Sequence, residues 1–233
     1  MKIELLEWDS DFFGIKTGRL FLSKETGWDE NELKNWDLVY IFVEPADMSN
    51  NLLLQQKGVS LVDEKITYIM NISTLNETKD NASHIHTYFS STNDERVISI
   101  GIQSGIYSRF NVDPNFSKAK FKELYTAWMK KSISREITNE VVVYVTDENE
   151  IAGVITLGEK NNNADIGIIA VDNNFRGQNI GKALIQEAVN YSIRKSYSSL
   201  QVVTQKNNKA ACTFYERCGF TEGNVINIYH YWK

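Results

Sequence analysis

The stretch "IGIIAVDNNFRGQNIGKALIQEA", residues 166–188, constrains the fold of this chain more than any other. An apolar run stops at Val171. A polar loop with two glycines follows, and then a segment with Ile180, Leu184 and Ala188 on one face, which reads as a helix. Strand, loop and helix in that order aim backbone N–H groups from a helix N-terminus. Those unpaired N–H groups and the helix dipole attract anions, phosphates above all. Gly177 and Gly181 let the backbone approach a ligand with no Cβ in the way. Arg176 and Lys182 add positive charge for a phosphate. Asn179 stands where such a loop would more comfortably carry glycine. Asn is the non-glycine residue that best tolerates left-handed angles, so those angles are expected at Asn179. Neither G-x-x-x-x-G-K-[ST] nor G-x-G-x-x-G occurs, so the two commonest nucleotide-phosphate motifs are excluded.

Strand and helix patterns alternate around this stretch. "LVYIFVE" (38–44) reads as a buried strand, and "MSNNLLLQQKG" as a short helix closed by Gly58. "SLVDEKITYIMNI" reads as one or two strands. "NFSKAKFKELYTAWMKKSI" spaces Phe121, Leu124, Tyr125, Trp128 and Met129 as the apolar stripe of an amphipathic helix, a core face. "VVVYVTDENEIAGVITLGE" is two strands about a polar turn, and "ADIGIIAVD" a third. "SLQVVTQ" is a strand, "NKAACTFYERCG" a helix closed by Gly219, and "NVINIYHYW" a terminal strand. The polar, turn-rich "NISTLNETKDNASHIH" (71–86) is the boundary candidate. It divides the chain into an N-terminal α/β half-domain, 1–80, and a larger domain, 81–233, with His84 and His86 exposed between them. The 38–70 and 200–232 segments share a strand, helix, Gly, strand plan, with Gly58 matching Gly219 and Tyr68 matching Tyr229. The N-terminal half thus has the look of a partial copy, which common α/β grammar would also produce.

A net charge of -5 on 233 residues argues against nucleic acid as the partner. The two cysteines, Cys212 and Cys218, make neither a disulfide framework nor a metal site, and they suit a reducing compartment. "MKIELLEWDSDFFG" mixes acids into its apolar residues, unlike a signal peptide. No apolar run approaches the ~20 residues of a membrane span. A cytoplasmic protein with no metal and no membrane partner is expected.

"IGIIAVDNNFRGQNIGKAL" resembles the acetyl-CoA motif of the GNAT superfamily of acyl-CoA N-acyltransferases, a strand followed by [QR]-x-x-G-x-[GA]. Arg176, Gly181 and the spacing match, and Asn179 replaces the first glycine. "NNKAACTFYERCGF" is similar to the family's N-x-x-A-x-x-[FL]-Y-E-[KR]-x-G-F, with Asn208, Ala211, Phe214, Tyr215, Glu216, Arg217, Gly219 and Phe220 all fitting. The resemblance covers roughly residues 96–233. A looser one spans nearly the whole chain. "WDSDFFG", "YSRFNVDPNF…FKELYTAW" and the Tyr231-Trp232 ending look like the dTDP-fucosamine acetyltransferase family, which acetylates a dTDP-linked 4-amino-4,6-dideoxygalactose.

The resemblance implies an α/β (α+β) GNAT fold, a mixed and mostly antiparallel central sheet flanked by helices. It implies direct acetyl transfer from acetyl-CoA to an amine, with no acyl-enzyme. Ile169, Ala170 and Val171 would align the cofactor. Arg176, Gly177, Gln178, Asn179, Ile180, Gly181 and Lys182 would hold its pyrophosphate. Asn208 and Ala211 complete the cofactor set, Asn208 also as a helix cap. Tyr215 would protonate the leaving thiolate, a task a phenol near pKa 10 can perform at neutral pH. Cys212 and Cys218 are expected to be packing residues. Arg109 suits a nucleotide diphosphate, and Tyr107 and Phe110 could stack on a base or sugar. Asp165 and His230 are the weaker candidates for a base, and Asp113 reads as a turn residue. The expected partner is a small-molecule amine, a nucleotide sugar used in surface polysaccharide synthesis; a homodimer is allowed. The alternatives are a GNAT acting on another amine (a protein N-terminus, a polyamine, an antibiotic) and a non-catalytic acyl-CoA sensor.

Overall fold

The computed structural model describes residues 2–25, 27–78 and 83–233. The boundary expected between residues 80 and 81 lies outside them. The chain divides into two compact units. The first comprises Met1–Ile66, Gln205–Asn207 and Asn224–Lys233; the second comprises Thr67–Thr204 and Asn208–Gly223.

Along the chain run β1 (Glu4–Leu5), α1 (Glu7–Phe13), β2 (Thr17–Phe21), α2 (Glu30–Leu33), β3 (Leu38–Val43), α3 (Met48–Gln56) and β4 (Ser60–Asn71). Then come β5 (Ile85–Thr87), α4 (Asp94–Gln103), α5 (Arg109–Val112), α6 (Lys118–Ile133), β6 (Glu140–Val145), β7 (Ile151–Lys160) and β8 (Asn163–Val171). A 3-10 turn at Asn173–Phe175 leads to α7 (Ile180–Arg194), β9 (Ser199–Gln205), α8 (Lys209–Arg217) and β10 (Thr221–Trp232).

In the first unit the strand order is β1-β2-β3-β10-β4. β2 pairs parallel with β3, and β3 pairs antiparallel with β10 from Asn227↔Val43 to Trp232↔Leu38. A central strand has neighbours on both edges and cover on both faces, so an unbroken apolar run suits it. The run "LVYIFV" of β3 is buried at every position but Phe42. Leu20, Leu33, Trp36, Val39, Ile41 and Leu54 form the core of this unit.

In the second unit the order is β4-β9-β8-β7-β6-β5. β5 through β8 form an antiparallel meander, and β8 joins β9 in parallel. The sheet is therefore mixed and mostly antiparallel, with helices beside it. The meander's β7–β8 turn is Asn161-Asn162, at φ 53° and 62°. Two residues with positive φ are what the tight turn between right-twisted strands requires, and Asn tolerates them. The α6 stripe is buried at Phe121, Leu124, Tyr125 and Met129, as its spacing predicts, and Trp128 is half-buried. The segment expected as a linker ends in a strand: β5 pairs with β6, and His84 stacks on Tyr144 with ring centroids 5.1 Å apart. His86 is exposed.

Candidate active site

The site grows from the end of β8. That strand pairs with β7 as far as Val171, but its parallel pairing with β9 ends at Ile166↔Val202. A bulge accompanies the parting. Gly167 and Ile168 lie between the pairs Ile155↔Ile169 and Leu157↔Ile166, where β7 supplies Thr156 alone. An extra residue bends the strand that carries it. The buried Thr156 hydroxyl accepts from the Ile168 N–H at 2.8 Å, so the bulge leaves that donor satisfied. Gly167 makes the room, since a Cβ there would stand 2.9 Å from the hydroxyl oxygen. Past the bulge, Asp172 N donates to Ala152 O at 2.9 Å. By antiparallel alternation, Ala170 then turns its backbone groups to β7, while Ile169 and Val171 turn theirs to the open edge. The Val171 carbonyl on that edge accepts from Arg176 Nε at 3.2 Å.

The loop after β8 is fastened from below. The buried Asp172 carboxylate accepts from Asn174 N at 2.9 Å, Arg96 Nη1 at 2.8 Å and Gln103 Nε2 at 3.2 Å. The Asn174 N–H, then Gln103 and Arg96, outweigh burial and hold this carboxyl below its usual range. Gln103 also accepts from Asn173 N at 3.2 Å. Both α4 residues therefore fix where the loop starts.

Asn179 sits at φ 60°, ψ 8°, the left-handed geometry expected of it. It occupies the N-cap of α7, yet its side chain makes no capping bond. A helix leaves its first N–H groups without intrahelical partners; here those of Ile180, Gly181 and Lys182 are left for a ligand. Asn208 does the opposite at α8, where its side chain accepts from Ala211 N at 3.2 Å. Gly177 has φ 81° and open space where a Cβ would go, as a ligand-facing glycine needs. Gly181 has a different reason: a Cβ there would stand 3.1 Å from the Phe214 ring, so it lets α8 approach α7.

These parts enclose a cavity of about 450 Å³. Ile169, Ala170 and Val171 line it from β8. Arg176, Gly177, Asn179, Ile180, Gly181 and Lys182 line it from the loop and α7, and Ala211 and Tyr215 from α8. Gln178 is exposed in the loop and Asn208 lies at the head of α8; neither lines the cavity. Three lining residues went unassigned in the sequence: Phe175, Phe214 and Arg217. Phe214 and Arg217 were visible as motif positions, and the Gly181–Phe214 contact is the physical signal that ties that motif to the loop. Phe175 carried no signal.

Tyr215 is 5% exposed, against the rings of Tyr68, Phe214 and Phe220 at 5.4–5.8 Å between centroids. Burial, with Cys218 and Cys212 beside it, pushes its hydroxyl well above the usual phenol value. The group stays protonated at any physiological pH, which suits a proton donor and rules out a standing base. Cys212 is buried, and Cys218 is half-buried with its thiol pushed up by burial against the pull of Lys182.

The other candidates lie elsewhere. Asp165 is on the paired stretch of β8, accepting from Gln201 Nε2 at 2.7 Å. His230 is buried in the first unit against Tyr40. Tyr107 is exposed and Arg109 half-buried, its guanidinium 4.4 Å from the Phe110 ring. Phe110 is 4% exposed, wedged between Phe116 and Trp128, so its ring serves packing where a stack on a ligand was expected. Among the described residues no cluster of His, Cys, Asp and Glu could hold a metal, and no helix is long and apolar enough to cross a membrane.

The chain is similar in sequence and fold to known proteins. Residues 106–220 match the acetyltransferase (GNAT) family. The dTDP-fucosamine acetyltransferase of Escherichia coli O6:H1 is 23% identical over 93% of this chain and 92% of its own length. The spore coat polysaccharide biosynthesis protein SpsD of Bacillus subtilis is 22% identical over 59% of this chain and 47% of its own. A GCN5-related N-acetyltransferase of Sphaerobacter thermophilus superposes with a TM-score of 0.52 at 18% identity, over 84% of this chain and 59% of that one. That last likeness is one of fold.

Proposed function

We propose, from the premise that this chain carries a GNAT acetyltransferase domain and is an acyl-CoA-dependent N-acetyltransferase, that its acceptor is the amino group of a nucleotide-linked amino-deoxy sugar. The observation that carries the chemistry is the parting of β8 from β9, with an uncapped helix N-terminus on one side and Tyr215 on the other. The N–H groups of Ile180, Gly181 and Lys182 take the pyrophosphate. The backbone of Ile169 and Val171, open to the cavity, aligns the pantetheine and offers an N–H to the oxyanion, the largest electrostatic demand of acyl transfer. The neutral amine attacks the thioester carbonyl. A C–N bond forms, the C–S bond breaks, and Tyr215 gives its hydroxyl proton to the departing sulfur. The amine loses one proton to solvent and Tyr215 regains one, so the net transfer is one proton from nitrogen to sulfur.

The sugar is supported by the full-length relative named for dTDP-fucosamine and the partial one named for spore coat polysaccharide, both at low identity. Tyr107 lies between α4 and α5 and Arg109 opens α5, and α4 holds the start of the cofactor loop through Gln103. That placement supports them as acceptor contacts. Thiol release from acetyl-CoA, measured against a panel of dTDP-amino sugars, polyamines and peptide N-termini, tests the reading. Turnover is expected with an amino sugar nucleotide at a KM below that of any other amine. A polyamine or peptide preferred over every sugar nucleotide would reject the acceptor, and no thiol release with any amine would reject the acyl transfer.

A further inference from the structure

As the proposed acid, Tyr215 has to be held to a narrow position. A proton donor must stand within about 3 Å of the atom it protonates, and a displacement of about 1 Å can cost roughly 10²-fold in rate. Tyr215 sits in the last turn of α8, which ends at Arg217. A helix end is where intrahelical hydrogen bonds run out, so contacts from outside the helix decide how firmly that turn stands. Phe214 and Phe220, two of the rings against Tyr215, are its neighbours in sequence. Tyr68, with its ring centroid 5.7 Å away, comes from β4, far earlier in the chain.

The Tyr68 side chain is wholly buried, yet its hydroxyl donates to the exposed Glu216 carboxylate at 3.0 Å, with Glu222 Oε1 as a second acceptor at 3.4 Å. Glu216 follows Tyr215 directly. Tyr68 therefore grips two successive residues of the turn, one by its ring and one by its hydroxyl. Tyr68 is itself fixed on both sides. Thr221 Oγ1 donates to the Ile69 carbonyl at 3.1 Å, and a Cβ on Gly223 would stand 2.9 Å from the Thr67 carbonyl, so β10 closes on β4 at the residues flanking Tyr68. Met70, buried two residues on, has its Cε 3.8 Å from where a Cβ on Gly219 would stand, just past the end of α8. Burial, then hydrogen bonds with Cys212 and Glu216, push the Tyr68 hydroxyl well above the usual phenol value, so it keeps its proton and remains a donor. Tyr68 lies outside the residues 106–220 that match the family, so this grip comes from a part of the chain that the match does not cover.

We infer that Tyr68 is a positioning residue for acetyl transfer: it sets the place of the Tyr215 hydroxyl through its ring and through its hydrogen bond to Glu216. The inference rests on the proposed function for the role of Tyr215. Tyr68 does not line the cavity, so it acts on the reaction only through α8.

Tyr68→Phe keeps the ring and removes the grip on Glu216. Its kcat should fall by roughly 5–30-fold, less than a full 1 Å displacement can cost, while KM for acetyl-CoA and affinity for CoA stay within about twofold. Glu216→Ala should reproduce that fall, and Glu216→Gln, which keeps an acceptor, should stay within about threefold of wild type. The decisive arm is Tyr68→Phe in the Tyr215→Phe background, where a residue that acts through the acid adds no further loss. A merely structural role would lower turnover by the same factor in both backgrounds. Hydrogen exchange reads the grip without any turnover. The amides of Cys218, Gly219 and Phe220, bonded to the carbonyls of Phe214, Glu216 and Tyr215, should exchange faster in Tyr68→Phe, and those of α7 should not. Unchanged kcat in Tyr68→Phe, an equal further loss in the Tyr215→Phe background, or unchanged exchange at the end of α8 each overturns the inference. Faster exchange there in a protein that releases no thiol with any amine would sink the acyl-transfer reading and leave the grip standing; turnover that Tyr68→Phe leaves unchanged would do the reverse.

Discussion

Two asparagines show how little residue type alone decides at this site. Asn208 caps α8 with its side chain; Asn179 heads α7 in a left-handed conformation and caps nothing. The second arrangement leaves three N–H groups without an intrahelical partner, which is what the proposed pyrophosphate site requires. Asn179→Val would force a β-branched residue into left-handed angles, at about 1–2 kcal/mol, so CoA affinity should fall by roughly 5–30-fold. Asn179→Gly should stay within about twofold of wild type, and titration with CoA would separate the two. If Val and Gly bound alike, the backbone of residue 179 would not be what positions the donors. Tyr215→Phe should lower turnover by roughly 10²–10⁴-fold, the usual worth of a positioned acid. Its CoA affinity should change little, because the ring keeps its packing on Phe214 and Phe220. Undiminished turnover would move the acid elsewhere. Asn179 was readable in the sequence because its conformational preference is intrinsic. The burial of Phe110 was not, because an aromatic next to an Arg looks the same whether it packs on Trp128 or faces a ligand.

At the scale of elements, the cavity exists because β8 stops pairing with β9. Periodicity finds β8 readily. It cannot find the bulge at Gly167 and Ile168, whose partner Thr156 sits on a different strand. The same holds for Asp172. The sequence places it between strand and loop, but nothing local says that Arg96 and Gln103, some 70 residues earlier, will hold it. Asp172→Ala should remove that anchor and cost about 1–2 kcal/mol, since it takes away three hydrogen bonds gathered on one buried carboxylate. A denaturant midpoint should record the loss, and KM for acetyl-CoA should rise with it. A variant as stable as wild type would mean that the loop is held by other contacts. The β7–β8 turn is a case where local chemistry does decide. Asn162→Val opposes φ 62° and should cost about 1–2 kcal/mol. Asn162→Gly should cost nothing measurable, with m unchanged in both variants.

At the scale of the molecule, segments with clear periodicity such as β3, α6 and α7 declare their own type, whereas α1, α2, α4 and α5 do not, and strand order and register follow from neither. Nothing in "NVINIYHYW" says that Trp232 will face Leu38, because that pairing is set by which buried faces meet once the chain has collapsed. Tyrosine burial is another property that appears only after folding, and it carries a testable consequence. Tyr68, Tyr88, Tyr215 and Tyr229 are pushed above the ordinary phenol value, chiefly by burial. Tyr197 is pushed up to about 12, chiefly by its hydrogen bond to Glu159 at 2.7 Å. In the unfolded chain each titrates near its ordinary value. Below about pH 10 both states hold these protons, and the shifts leave stability unchanged. Above that value the unfolded state sheds protons that the native state keeps. Stability must then fall as pH rises, through the interval up to each native value. Asp172 works at the other end: its lowered carboxyl contributes stability above the usual carboxylate range and loses it as pH falls through the native value. The denaturant midpoint should therefore drop between about pH 9 and about pH 11, either side of the ordinary phenol value. Tyr197→Phe, which removes one of the five groups, should lower the midpoint less over that interval than the wild type does. An equal drop in both would mean that the Glu159 carboxylate does not hold the Tyr197 proton in the native state.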